Sequence, residues 1–315
     1  MSTLQQDSKD RPQAAGDGTA SWYEASARQR VGFLLDAGSF QEFIGPQDRE
    51  ISPHLRLFDL PAQFDDGIVV GRGKIAGAPV FVAAQEGRFM GGAFGEVHGA
   101  KLTGLLRAAR DVKSMPVLIL YDTGGVRLQE ANAGELAISE IIRALLEART
   151  AGAKVVGLIG GRAGCYGGGG LIAGCCSGLA VSEHGRISVS GPEVIETNRG
   201  VEEFDSKDRA LVWRTMGGRN RRLIGGADMF VDDTVRSFRE AAIHLIEVAP
   251  AFGLEVLKAE QARLEERLKR FGSCADALDI WRAEGVKDVD AVPAMPARDF
   301  IALADKVQEP RHDAR

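Results

Sequence analysis

Two apolar runs without alternation, Val117-Leu118-Ile119-Leu120-Tyr121 and Val155-Val156-Gly157-Leu158-Ile159, each give way to a glycine-rich turn. The first turn is Asp122-Thr123-Gly124-Gly125-Val126-Arg127, and the second is Gly164-Cys165-Tyr166-Gly167-Gly168-Gly169-Gly170. A short unbroken apolar run reads as a strand covered on both faces, which calls for parallel pairing with helices on either side. Where such a strand ends and a helix begins, backbone amides lack intrahelical partners, and the helix dipole favours negative charge. Ligands of open α/β sheets collect beyond these strand ends. Two glycine turns on one sheet edge therefore suit an oxygen that becomes anionic during a reaction, held by main-chain N–H groups. A further pair, Gly91-Gly92, precedes them.

The rest of the chain follows the same strand–helix alternation. Trp22 to Phe43 reads as an amphipathic helix carrying Val31, Leu34 and Leu35, then a turn and an apolar anchor from Phe40 to Ile44. Residues 67–86 read as a hairpin turning at Gly77-Ala78. Helices are expected at about 96–113, 133–150 and 168–176, with Asn132 and Glu135 spaced as a capping box for the second. Short strands are expected at Leu179 to Ser182 and Ile187 to Val189, then a helix opening at Pro192. The last third reads as helices at about 207–216, 233–248, 253–270 and 274–283. No boundary interrupts this pattern. Residues 21–303 are expected to form one α/β domain between polar, mobile tails, 1–20 and 304–315.

Composition excludes several classes. Glycine supplies 39 of 315 residues, well above the average of roughly 7%, and it gathers at strand ends where backbone must approach backbone or ligand. A formal net charge of −5 argues against a nucleic-acid partner. No apolar stretch approaches the roughly 20 residues that cross a bilayer, and the polar N-terminus has no signal core. A cytoplasmic protein with no membrane partner is expected. The four cysteines form no CxxC pair, and no histidines have ligand spacing, so neither a zinc ribbon nor another metal is expected. No Gly-Lys-Ser/Thr follows the turns, and no acidic residue closes a later strand at dinucleotide-binding distance.

Side chains for acid–base work are sparse. His98 reads first as a satisfied polar residue on a helix, and His184 as a turn residue. Cys165 lies inside the second turn, where a helix N-terminus would favour a thiolate, yet no base adjoins it. Cys175 and Cys176 read as small buried residues. Arg209, Arg214, Arg219, Arg221 and Arg222 form a basic cluster, either a solvated helix face or a docking patch for phosphates or an acidic partner.

Four segments, in order, resemble the motifs of the carboxyltransferase family. They are Phe89-Met90-Gly91-Gly92, Asp122 to Glu130, Gly164 to Gly170, and Ser190-Gly191-Pro192-Glu193-Val194-Ile195-Glu196. Order and spacing match across about residues 65–235. The resemblance implies a crotonase-type fold of repeated ββα units in a single carboxyltransferase-like domain. The chain departs from the family in carrying Asp122-Thr123 and Val126 where Ser and Ala are preferred, and in a lengthened second turn. It lacks the zinc ribbon that β subunits of bacterial acetyl-CoA carboxylase often carry. Its size and the Trp213-Arg214-Thr215-Met216-Gly217-Gly218 segment look most like the malonate decarboxylase β-subunit branch, which is biotin-independent.

That resemblance implies decarboxylation of a malonyl thioester to an acetyl thioester and carbon dioxide, without metal or biotin. It implies a homologous γ subunit, an acyl-carrier protein bearing the substrate on a phosphoribosyl-dephospho-CoA prosthetic group, and an acyl-carrier protein transferase α subunit. The thioester oxyanion would be held by amides of Gly124, Gly125 and Val126 from one turn and Tyr166, Gly167 and Gly168 from the other. Phe89, Met90, Gly91, Gly92 and Arg127 would contact the prosthetic arm. Two other readings stay open: a carboxyltransferase β subunit of a biotin-dependent carboxylase, and a non-catalytic scaffold that docks the acyl-carrier protein.

Overall fold

A computed structural model describes residues 18–55 and 67–312 of the chain. Its centre is a seven-stranded sheet running β1 (Gln41–Phe43), β2 (Ile68–Ile75), β3 (Ala78–Gln85), β4 (Val117–Tyr121), β5 (Val155–Ile159), β7 (Gly178–Ser182) and β9 (Met229–Val231). From β3 onward neighbouring strands are parallel, while β1–β2 and β2–β3 are antiparallel. The hairpin joining β2 to β3 turns on Ala76 and Gly77, φ +48° and +80°. Paired positive φ values suit the twist of a tight hairpin, and they put the turn one residue before the expected Gly77-Ala78. A second, two-stranded sheet of β6 (Cys165–Tyr166) and β8 (Ile187–Ser188) lies apart from the large one.

Every residue of β4 and β5 is buried, as expected for parallel strands covered on both faces. Strand alternation divides them. Val117, Ile119 and Tyr121 enter one core with residues of α2 (Glu96–Val112) and α3 (Asn132–Thr150). Leu118 and Leu120 enter a second core with residues of α1 (Ala27–Leu34) and α8 (Val235–Val248). Further helices are α4 (Gly168–Gly174), α5 (Pro192–Arg199), α6 (Arg209–Met216), α7 (Gly218–Leu223), α9 (Leu254–Phe271), α10 (Ala277–Ala283) and α11 (Ala297–His312). None of the helices described is long and apolar enough to cross a membrane.

Several local expectations are corrected. The first helix starts only at Ala27, where Ser26 and Gln29 form a capping box, and the Phe40–Ile44 anchor contains the edge strand β1. Asn132 is the first residue of α3 and not its cap; Ala131 precedes it at φ +46° with no side-chain cap. Strand β9 and helix α11 were not expected. Helix α11 continues past residue 304, and Phe300 and Ala304 are fully buried in the first core. Of the expected N-terminal tail, residues 1–17 lie outside those described.

One ion pair crosses this hydrophobic frame. Arg30 of α1 donates from Nη1 to Asp122 Oδ2 at 2.8 Å, with side chains only 1% and 5% exposed. The Arg30 Nε also donates to the Trp22 carbonyl, 2.9 Å. Truncating one member leaves the other charged and buried, which costs about 3–5 kcal/mol. Asp122→Ala is therefore expected to lower unfolding free energy by about that amount in urea titration. A change below about 1 kcal/mol would show that water readily satisfies Arg30.

Candidate active site at two apposed glycine turns

The first turn is held between two other stretches of backbone. On one side Phe94 N–H donates to Gly125 O and Arg127 N–H to Phe94 O, both 2.8 Å, and Gly124 N–H donates to Gly91 O, 2.8 Å. On the other side Thr123 N–H donates to Gly164 O, 2.8 Å, and Tyr166 N–H to Thr123 O, 3.0 Å. These are parallel bridges, Phe94 with Val126 and Thr123 with Cys165. In parallel pairing the bonds run to the neighbours of the bridged residue, whose own N–H points away from the partner strand. Val126 N–H therefore faces away from Phe94.

What lies beside Val126 is the second turn. A Cβ placed on Gly167 would sit 3.9 Å from Val126 N and 3.2 Å from Gly125 Cα, and one placed on Gly125 would sit 3.7 Å from Gly167 N. Gly125 and Gly167 have φ +118° and +56°, conformations that side chains rarely adopt. The two main chains thus meet with nothing between them. Gly92 explains the third glycine pair: at φ +66°, an added Cβ would fall 1.8 Å from the Asp122 carbonyl oxygen.

The six sequence candidates for oxyanion donors now divide. The amides of Gly124 and Tyr166 are engaged by carbonyls, and Gly125 N–H donates to Thr123 Oγ1 at 3.1 Å. Those three are committed to holding the turns in shape, which corrects their expected role. The Gly167 N–H is a fourth, turned toward the Ser188 carbonyl by the parallel Tyr166–Ser188 bridge, which leaves the amides of Val126 and Gly168 without an acceptor among the described residues. Buried main-chain donors are nearly always paired, so the open amide of buried Gly168, beside that of half-buried Val126, marks a place for a ligand acceptor.

Asp122 supports both turns from below. Its Oδ2 accepts from Arg30 and its Oδ1 from Ala163 N–H, 2.7 Å, in the loop that leads into the second turn. Its own N–H donates to Gln85 Oε1, 3.1 Å, and Gln85 Nε2 lies 3.3 Å from His98 Nε2. His98 is fully buried beside the Phe94 ring. No local pattern points to Arg30, whose partner is 92 positions away.

Arg127 is also inside. It forms an ion pair with Glu130, Nη1 to Oε1 2.6 Å, with both side chains at 0% exposure, and its Nη2 donates to Ala93 O, 3.2 Å. Glu130 Oε2 in turn accepts from Glu96 N–H, 2.7 Å, at the start of α2. Phe89 lies against the Arg127 guanidinium at 5.4 Å. Arg127 therefore offers no open surface to a prosthetic arm; it ties the 89–95 segment to the first turn. Gly91 and Gly124 form the exposed rim of the cleft, Met90 is half-buried, and Gly92 is buried.

The remaining candidates are placed as follows. Cys165 is fully buried, and burial pushes its thiol well above the ordinary range. Burial likewise pushes Cys176 up to about 12, against the Tyr121 hydroxyl at 3.3 Å. Thiols held protonated are poor nucleophiles. The arginine cluster is not an open basic patch: Arg214 pairs with Asp276 at 3.1 Å, Arg219 with Glu183 at 2.9 Å and Arg222 with Asp305 at 2.7 Å. Arg209 lies over the Trp213 ring at 5.4 Å. Among the described residues no three His, Cys, Asp or Glu side chains cluster as a metal site.

Cys165 is expected to resist alkylation at neutral pH until the protein unfolds, and Cys165→Ala to retain turnover. Rapid native-state labelling traced to Cys165 by peptide mass would contradict its burial.

The chain is similar to several known proteins. Residues 24–220 match the carboxyl transferase domain. A malonyl-S-ACP:biotin-protein carboxyltransferase of Malonomonas rubra is 37% identical over 91% of this chain and 96% of its own length. The carboxyl transferase β subunit of acetyl-coenzyme A carboxylase from a Synechococcus species is 31% identical over 56% of this chain and 59% of its own. In three dimensions, a Pseudomonas malonate decarboxylase hetero-tetramer crystallised with malonate superposes with TM-score 0.77 at 38% identity. That match covers 84% of this chain and 97% of that one.

Proposed function

The chain belongs to the carboxyl transferase domain family, and from that premise we propose that it is the β-type subunit of a malonate decarboxylase. In this reading it converts a malonyl thioester carried on an acyl-carrier protein into the acetyl thioester and carbon dioxide. The observation that carries the proposal is the pair of open amides at Val126 and Gly168 where the two turns meet.

The chemistry asks for little else. The bond between the carboxylate carbon and the α-carbon breaks, carbon dioxide leaves, and the electron pair passes into the thioester carbonyl, whose oxygen becomes anionic. The α-carbon then takes a proton. Val126 N–H from the first turn and Gly168 N–H from the second donate to that oxygen. Fixed donors already aimed where charge appears stabilise the transition state, each by roughly 3 kcal/mol. Gly91 and Gly124 at the exposed rim leave an entrance free of side chains, which fits a narrow thioester arm such as a phosphoribosyl-dephospho-CoA group. Phe89, Met90 and Gly92 shape the wall behind it.

A hetero-oligomer fits the surface. Leu128, Leu136, Leu171, Val189 and Val194 are each between 46% and 81% exposed, on segments that follow the two turns and lead into α5. Exposed apolar side chains in such number near a cleft mark a protein interface. The occupant we propose is a homologous γ subunit that closes the site, with an acyl-carrier protein and its transferase α subunit completing the assembly. Relatives of this chain crystallise as a malonate decarboxylase hetero-tetramer and hetero-dimer.

One specific finding favours a second reading. The Malonomonas relative is named for passing its carboxyl group to a biotin protein. The same enolate forms in that transfer, so the turns suit both, and the fate of the carboxyl group separates them. Turnover of a malonyl thioester by the assembled complex is expected to be insensitive to avidin. Avidin-blocked turnover would establish carboxyl transfer instead.

Replacing the Val126 amide by an ester linkage removes one donor and leaves every side chain in place. The turnover number of the assembled complex is expected to fall about 10²–10³-fold. An unchanged rate would favour the reading of this chain as a scaffold that docks the carrier protein while its partner does the chemistry.

A further inference from the structure

Of the five arginines between positions 209 and 222, Arg221 differs from the other four. It has no carboxylate or aromatic partner among the described residues, and its Nε is shielded from solvent without an acceptor. The Tyr166 hydroxyl and Arg186 Nε are likewise shielded and meet no acceptor at hydrogen-bond geometry, with the Arg186 guanidinium near enough to the phenol to act on it as a donor. These three side chains belong together. The Arg186 guanidinium lies 5.8 Å from the Tyr166 ring centroid and 4.8 Å from that of Trp213. Its Nη2 is bonded to the Arg162 carbonyl. Tyr166 feels the charge of both Arg186 and Arg221.

The electrostatics are lopsided. Burial pushes Arg221 down to about 10, and the charge of neighbouring Arg267 pushes the same way, while Tyr166 opposes them. Burial also raises Tyr166, against the two arginines, and exposed Glu193 on α5 is the carboxylate that bears on it. A desolvated guanidinium with no counter-ion is a standing cost that an arriving anion removes. Guanidinium N–H groups and a phenol O–H are all donors, a set that matches the oxygens of a carboxylate or phosphate.

We propose that Tyr166, Arg186 and Arg221 form a subsite for an oxyanion, next to the second glycine turn through Tyr166. The oxyanion is either the free carboxylate of the acyl substrate or a phosphate of the arm that carries it. The identity of that occupant rests on the proposed function, whereas the binding of an oxyanion by these three side chains is tested without it.

The test uses the full chain, together with any subunits that co-purify. Thermal melting and calorimetric titration are run with inorganic phosphate, with malonate, and with chloride at matched ionic strength. Phosphate or malonate raises the melting temperature of the wild type and chloride does not. In anion-free buffer Arg221→Met melts higher than the wild type, because an uncompensated charge is gone, and its response to the anion is lost. Tyr166→Phe binds about tenfold more weakly, the loss of one hydrogen bond to a charged group. A response to malonate alone assigns the substrate carboxylate, and a response to phosphate alone assigns the arm. A response to both supports a general oxyanion subsite. The proposal is overturned if neither anion acts differently from chloride, or if Arg221→Met retains the response. A lower melting temperature for Arg221→Met in anion-free buffer overturns it too, since the guanidinium would then be satisfied within the protein.

Discussion

The Asp122 carboxylate is the fixed point on which the two turns depend. It sits at the end of the central strand, charged and almost completely buried, between Arg30 of the first helix and the Ala163 amide of the loop after β5. Each bond satisfies a group that would otherwise be stranded in apolar surroundings, so the three segments have one good arrangement. From that anchor the neighbouring backbone bonds follow, Thr123 to Gly164 and Tyr166 to Thr123, and they bring Gly125 against Gly167. Hydrophobic burial on both faces of the sheet supplies the bulk of the stability but does not choose among loop placements. The buried carboxylate makes that choice.

A site made of main-chain amides has particular consequences. Its donors cannot titrate, and their positions are set by the fold and not by rotamers. Catalytic identity is therefore hidden in glycines, which permit close approach, and in buried charge pairs such as Arg127–Glu130, which never reach the cleft. Arg127 looks like a ligand-binding residue in the sequence. In the fold it is a strut that fixes the 89–95 segment to the first turn.

Much of the architecture was legible from residues alone. The unbroken apolar runs of β4 and β5, the hairpin, and the long helices α2 and α3 carry strong local periodicity, and each lies within a residue or two of its expected span. The four ordered motifs carried the family. What escaped notice depends on contacts distant in sequence. The bridges Phe94–Val126 and Thr123–Cys165 are single-residue pairings with no periodic signature, yet they decide which amides stay open. The basic cluster read as one patch because its partners Glu183, Asp276 and Asp305 lie 36 to 83 positions away. Ala131 with its positive φ displaced the expected Asn132 cap, and three-residue β9 is too short to show alternation.

In the proposed function, Val126 and the second turn together grip a thioester oxygen. The vibrational frequency of that carbonyl reports the grip most directly. Infrared difference spectra of the assembled complex, with an acetyl thioester on the carrier labelled at the carbonyl carbon, should show the stretch shifted below its value in water, because two fixed donors polarise the bond. A stretch at or above the aqueous value would mean that no such donors meet the oxygen, and the account of the site would be wrong.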